Sequence, residues 1–350
     1  MSISDLSMSI STSSSDEDQR RRTFKQRMNP FEFYNDEEFK NRYRLTKDVV
    51  TLLVNLIEPK IKRFTLRNKS ISALEQVLLT INYFASGAFQ ITVADHIRIH
   101  KSTACRIIKK VSAAIAELRP QFISMPNTQQ DCNRIKSEFY NISSFPNVIG
   151  CVDCTHIKIQ SPGGPRAELY RNRKGYFSLN VQVICDANLK ILDVICRWPG
   201  SVHDTTIIND SHIRADFESG VYGSDYLLGD SGYPCRAYLL TPFLRPSTPS
   251  EEAYNQAHIK TRNTVERCFG VLKRRFPCLS MGLRVKLPTS MNIIVACCVL
   301  HNLALNHNDH IEEATTSSLD LEYQEDSGPS SIMNENTSVR SSLLLTHFNC

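Results

Sequence analysis

Three acidic residues stand in stretches of the chain where an acid is costly. Phe145–Ile159, FPNVIGCVDCTHIKI, alternates as a strand that puts Ile149, Cys151, Asp153, Thr155, Ile157 and Ile159 on one face. Tyr226–Pro234, YLLGDSGYP, is a short apolar run that breaks at Gly229-Asp230-Ser231-Gly232, which predicts a buried strand delivering Asp230 at its C-terminal tip. Thr261–Phe276, TRNTVERCFGVLKRRF, has helical spacing: Val265, Phe269, Leu272 and Phe276 form an apolar stripe, with Arg262, Glu266 and Lys273 on a second stripe beside it. Arg262 and Glu266 stand at i and i+4, and the helix by itself reads more readily as a surface ion pair worth about 0.3–0.5 kcal/mol. The two upstream acids change that balance, because a carboxylate in apolar surroundings must be paired or bound to a cation. Asp153, Asp230 and Glu266 together offer oxygen donors only, the set that suits Mg²⁺ or Mn²⁺ in phosphoryl transfer.

Acids so far apart in sequence need a sheet and a helix to gather them. From about residue 141 to residue 307 the pattern is strands, then helices. After the Asp153 strand, GYFSLNVQVICDA at Gly175–Ala187 and LKILDVICRW at Leu189–Trp198 read as a hairpin turning at Asp186-Ala187-Asn188. Gly200-Ser201-Val202-His203-Asp204 then opens a helix near Thr205, with Asp204 as its cap. Three antiparallel strands, a helix, a fourth strand parallel to the first and a late long helix make the ribonuclease-H-like mixed sheet of an α/β domain, in which Asp153 and Asp230 become neighbours and Glu266 crosses their ends. The long helix is expected to begin at Ser250, with His258 on its inner stripe as a core histidine.

Residues 30–140 read as all helical and are expected to form a preceding domain. Leu45–Ile57 is predicted to stop before Pro59, and Ser70 to precede a second helix that ends at Ser86-Gly87. Residues 91–115, ITVADHIRIHKSTACRIIKKVSAAI, fit a helix-turn-helix with Ala104, Ile107, Ile108, Val111 and Ile115 inward. Lys101, Arg106, Lys109 and Lys110 face outward and suit a DNA groove and its phosphates. The basic loop Arg171–Gly175 suits phosphates or serves solubility alone, and Lys158 and Arg173 are the weaker phosphate candidates.

Charge and composition narrow the partners. Lys+Arg 41 against Asp+Glu 36 gives +5, but from Asn308 onward eight acids face one base, so that tail carries −7 and residues 1–307 carry +12. A basic body of this kind suits a polyanion such as DNA and argues against a small-molecule phosphatase. Residues 1–29 and the acidic tail, 308–350, are too poor in apolar residues to form a core and are expected to be disordered. Arg20-Arg21-Arg22 with Lys25 and Arg27 reads as a nuclear-import or phosphate-contacting cluster, or simply as a solvated basic arm. The stretch before Met28 is Ser-rich and charged rather than a secretory leader, which favours reduced thiols for the twelve cysteines. Cys151-x-x-Cys154 lacks a second pair and is a weak zinc half-site. Met291–Leu305, interrupted by Asn292, His301 and Asn302, reads as a core helix; no membrane span is expected.

In combination the motifs FASGAFQ (84–90), VDCTHIKI (152–159), NRKGYFSLNVQ (172–182), GSVHD (200–204), GDSGYP (229–234) and RNTVERCFGVLKRRF (262–276) resemble the Harbinger transposases and the nucleases derived from them, within the DDE group. The resemblance covers about Phe31–His307. It implies a metal-dependent DNA endonuclease with Asp153, Asp230 and Glu266 as catalytic, Mg²⁺- or Mn²⁺-binding acids, and Asp204 as accessory. Arg262 and Lys273 would neutralise phosphate charge. Ile259 stands where the bacterial relatives' pattern has tyrosine, which removes a secondary aromatic contact. A Myb-like DNA-binding partner and a nuclear location, with the cytoplasm open, are also implied; oligomeric state is left open. An active transposase and a catalytically silent DNA-binding scaffold are the alternative readings.

Overall fold

A computed structural model describes residues 28–62, 70–311 and 337–349. In chain order the helices are α1 (Pro30–Phe33), α2 (Asp36–Tyr43), α3 (Lys47–Ile61), α4 (Ala73–Ser86), α5 (Gln90–His96), α6 (Lys101–Ala116), α7 (Arg119–Phe122) and α8 (Gln129–Ser143). The strands β1 (Val148–Lys158), β2 (Ser178–Cys185) and β3 (Ile191–Pro199) follow, with a 3₁₀ turn at Ala167–Tyr170 after β1. Next come α9 (Asp204–Asn209), α10 (His212–Glu218), β4 (Tyr226–Leu228) and β5 (Leu239–Leu240). The chain continues through α11 (Pro249–Arg275), α12 (Cys278–Met281), α13 (Leu287–Asn306) and α14 (Thr337–Thr346).

The strands form one five-stranded mixed sheet in the order β3-β2-β1-β4-β5. β1, β2 and β3 pair antiparallel, with Asp153 opposite Val183, while β4 runs parallel to β1 with Cys151 opposite Leu228. That register sets the tip of β4 level with the middle of β1, where the two aspartates meet. α11 packs across β1 and β2, and α13 lies against β3 on one side and α6 on the other. α13 is long and apolar enough to cross a membrane, but 72% of that window is buried inside the fold, as a core helix requires.

Local chemistry explains most element ends. Thr248 caps α11 by accepting from the Glu251 N–H, and Pro249 opens the first turn, where its missing N–H costs nothing. α4 starts two residues later than Ser70 suggests, because Ser72 and Glu75 form a reciprocal capping box; Gly87 closes the helix at φ +62°. α3 differs from expectation: it runs through Pro59 to Ile61, whose buried side chain anchors the last turn.

The basic arm, including Arg20–Arg22, lies outside the described residues. The tail reading needs correction at both ends of the acidic segment. Asp309 is buried at 2% exposure, and α14 docks through Arg340 and Phe348. The Arg340 guanidinium lies 3.9 Å from the Phe243 ring centroid and donates to the Thr241 carbonyl, while Phe348 joins the rings of Phe145 and Tyr254. Averaging acidic residues over the whole tail hid this apolar terminus.

Candidate active site

Asp153 sits in the middle of β1 with 17% of its side chain exposed. Its Oδ1 accepts the Cys154 N–H at 2.7 Å, and its Oδ2 lies 3.3 Å from Arg262 Nη1. Burial raises the Asp153 carboxyl well above the usual carboxylate range, and the charge of Asp230 adds to that; Arg262 opposes it. The excess negative charge is what a bound cation would relieve.

Asp230 leaves β4 through a turn that its own side chain shapes, accepting the Gly232 N–H at 3.0 Å. Gly229 just before it sits tightly: a Cβ there would stand 3.0 Å from the Tyr233 ring and 3.1 Å from Leu239, so these side chains would have to give by a few tenths of an ångström. Glu266 lies on α11 with a third of its side chain exposed and accepts from Arg262 Nη2. Arg262 thus spans two of the three acids. Lys273, two turns beyond Glu266 on α11, donates to Thr155 Oγ1 at 2.6 Å. Burial pulls the Lys273 ammonium below its usual range, while Asp153 works in the opposite direction.

Asp204 begins α9 and reaches the sheet from the other face. Its Oδ1 accepts Asn180 Nδ2 at 2.7 Å, and Asn180 shares its register with His156 rather than with Asp153. The charge of Asp204 still acts on Asp153, but less than that of Asp230. α9 is tied to the Asp230 turn by the bond from Thr205 Oγ1 to the Gly232 carbonyl, 2.8 Å. Among the described residues no three His, Cys, Asp or Glu side chains form a ready-made metal cage. Arg262 lies between Asp153 and Glu266, bonded to both.

Of the basic residues, Arg262 and Lys273 are brought to the acids. Arg173 is exposed and places Nη2 2.7 Å from His203 Nδ1. Lys101, Arg106 and Lys109 are exposed on α6. Lys110 does not simply point to solvent: its Nζ donates to the Ile61 carbonyl at 2.9 Å and so closes the C-terminus of α3. The apolar residues expected inward on α6 are buried. His258 is a core residue, fully buried with Nε2 on the Leu240 carbonyl, and burial lowers its imidazole to about 4. Cys151 and Cys154 fall on opposite faces of β1, one against the Thr261 carbonyl and the other against Tyr233, so they make no zinc half-site.

Thr155, Asn180 and Tyr233 were not singled out from the sequence. Thr155 was legible as a face-mate of Asp153, and Asn180 as one of three polar residues, with Ser178 and Gln182, that alternate along β2. Their partners come from α11 and α9, and no spacing within β1 or β2 reveals them.

A family described as "DDE superfamily endonuclease" matches residues 152–302. "Putative nuclease HARBI1" of Bos taurus and of Homo sapiens are each 36% identical over 318 residues, covering 89% of this chain and 91% of theirs. "Protein ALP1-like" of Arabidopsis thaliana is 26% identical over 276 residues, 73% of this chain and 66% of that one. No solved structure matches.

Proposed function

The chain belongs to the Harbinger transposase-derived nucleases of the DDE superfamily, and from that premise we propose that it cuts DNA phosphodiester bonds using Asp153, Asp230 and Glu266. The reading is supported by Asp230 loading charge onto Asp153 and by Arg262 bonding both Asp153 and Glu266. All three donors are carboxylates, and the buried charge at Asp153 is under-compensated, so the residues fit a hard divalent cation. Such an ion, Mg²⁺ or Mn²⁺, when bound supplies polarisation of the phosphoryl group and a lower pKa for the attacking water or 3′-hydroxyl.

The chain's own groups do the rest. Arg262 balances the charges of Asp153 and Glu266, and with a cation held by those acids it would be placed to meet a phosphate oxygen. Lys273, held by Thr155, keeps a positive charge beside Asp153. Arg173, exposed on the loop before β2, binds the strand's backbone. Asp204 acts from behind the sheet through Asn180 and the α9 contact to the Asp230 turn.

Labelled duplex DNA incubated with Mg²⁺ or Mn²⁺ tests this assignment. Wild type is expected to cut; Asp230→Asn is expected to lose cleavage altogether. Asp204→Asn should lose no more than the roughly 10- to 100-fold typical of groups that support a ligand from outside. Equal abolition by both substitutions would move Asp204 into the ligand set, and full activity in Asp230→Asn would remove Asp230 from it.

Within the same proposal, α5 and α6 serve as a helix-turn-helix in a helical unit of residues 30–140, preceding a ribonuclease-H-like unit of 141–307. The support is the exposed row Lys101, Arg106 and Lys109 on a helix whose opposite face is buried. Lys109→Ala should lower the salt dependence of DNA binding by about 0.9 in log–log slope. Lys110→Ala, by contrast, should lower the melting temperature, because it uncaps α3. An unchanged slope in Lys109→Ala would make α6 a packing helix only.

A further inference from the structure

Gly270 stands in the interior of α11, a helix of 27 residues, where glycine is the least favourable residue after proline. Nothing within the fold asks for it. A Cβ built there would meet no atom within 4 Å, and the residue's φ lies outside the left-handed region, so neither packing nor backbone conformation excludes a side chain. Every other described glycine either has positive φ or would set a Cβ within 3.2 Å of a neighbour. Gly270 is alone among them in having neither reason.

Its place on the helix ties it to the acids. α11 packs on the face of the sheet that carries Asp153, as the contact from Arg262 to Asp153 shows. At 100° per residue, Gly270 lies about 40° round the helix from Glu266 and one turn, about 6 Å, further along. Gly270 is exposed, and so is Asn263, two turns before it on the same flank. Beyond that flank Lys260, Arg267 and Arg274 recur at seven-residue spacing, about 80° to 120° from Glu266, and form one basic row along the helix. Lys260 and Arg267 are exposed, and Arg274 is half-buried. Bare helix backbone at Gly270 thus floors a track with Glu266 on one side and the basic row on the other.

We propose that the sugar–phosphate backbone of the DNA strand crosses α11 at Gly270, in van der Waals contact with the helix backbone, on its way to the acids. The inference rests on the nuclease reading and adds to it the path of the strand. Without a Cβ, a chain of sugars and phosphates comes closer to the helix than any other residue would allow. The row Lys260, Arg267 and Arg274 matches the charge of that strand and fixes its direction along the helix without reading its sequence.

Substitution at this position separates a DNA contact from an internal role by the sign of its effect on stability. Gly270→Ala should raise the melting temperature by roughly 2 °C, since alanine is the better helix former and its methyl meets nothing. Gly270→Leu should melt no lower than wild type, yet bind labelled duplex DNA roughly tenfold more weakly by fluorescence anisotropy in metal-free buffer, with Gly270→Ala between the two. Cleavage by Gly270→Leu should fall in step with binding. If Gly270→Leu binds and cuts DNA like wild type, the strand path is overturned and the nuclease reading stands. A lower melting temperature in Gly270→Ala would give the glycine an internal role and overturn the path as well. Wild-type protein that binds no DNA would overturn both.

Discussion

Replacing Asp309 with alanine should destabilise the protein by about 3–5 kcal/mol, more than any other single surface-remote change considered above. Asp309 Oδ2 accepts the Thr46 N–H at 2.8 Å, and its Oδ1 lies 2.9 Å from Lys40 Nζ and 3.6 Å from Arg275 Nη1. Arg275 is 0% exposed, and burial pushes its guanidinium below its ordinary range while Asp309 holds it up. Removing the carboxylate therefore strands a buried cation at the end of α11, where only carbonyls of Arg44 and Asp309 itself remain. The control is Arg275→Met combined with Asp309→Ala: with both charges gone the loss should shrink, giving a clear coupling energy in a double-mutant cycle. Urea unfolding followed by circular dichroism reads both. A loss below about 1 kcal/mol for Asp309→Ala would mean the pair is screened like a surface bridge. The same contacts change the expected effect of truncation: a chain ending at His307 loses Asp309 and the docked α14 together, so it should melt early rather than retain wild-type stability.

The parts of the fold that were legible in the sequence are those whose pattern is long or whose chemistry is costly. β1, β2 and β3 announced themselves by alternation, and the hairpin by Asp186, which accepts the Asn188 and Lys190 N–H groups across the turn. Asp153 and Asp230 were conspicuous because acids in apolar strands need a reason. β5 has two residues, too few for any period to show. Pro59 looked like a helix stop, yet burial of Ile61 outweighed it. α14 and Phe348 were masked by the acidic residues before them.

Within the site, Arg262 could be paired with Glu266 by i,i+4 spacing, but its contact with Asp153 depends on how α11 crosses the sheet. The side of the sheet from which Asp204 approaches was equally hidden, since it depends on α9 folding back over β2. Helix crossing and loop return are properties of packing, and a single sequence carries little of them.

The central claim is that Asp153, Asp230 and Glu266 hold a divalent cation, and it is tested most directly by metal-dependent melting of Asp153→Asn. In the metal-free protein the folded-state pKa of Asp153 lies above its unfolded value near 3.9, so the fold favours the neutral acid. Stability is then lost as pH rises from about 4 through the folded pKa, and none is lost below that window. At neutral pH the amide therefore removes an under-compensated charge, and Asp153→Asn without metal should be neutral or somewhat stabilising. Wild type with Mg²⁺ or Mn²⁺ at a hundredfold excess over Kd should gain about 2.7 kcal/mol. That gain should fade on acidification at a pH above the ordinary carboxylate range, because the cation competes with a proton on Asp153. Measured side by side at neutral pH, wild type should show a metal-induced rise in melting temperature and Asp153→Asn none, with DNA cleavage lost in parallel; an equal metal response in the two proteins would contradict the account.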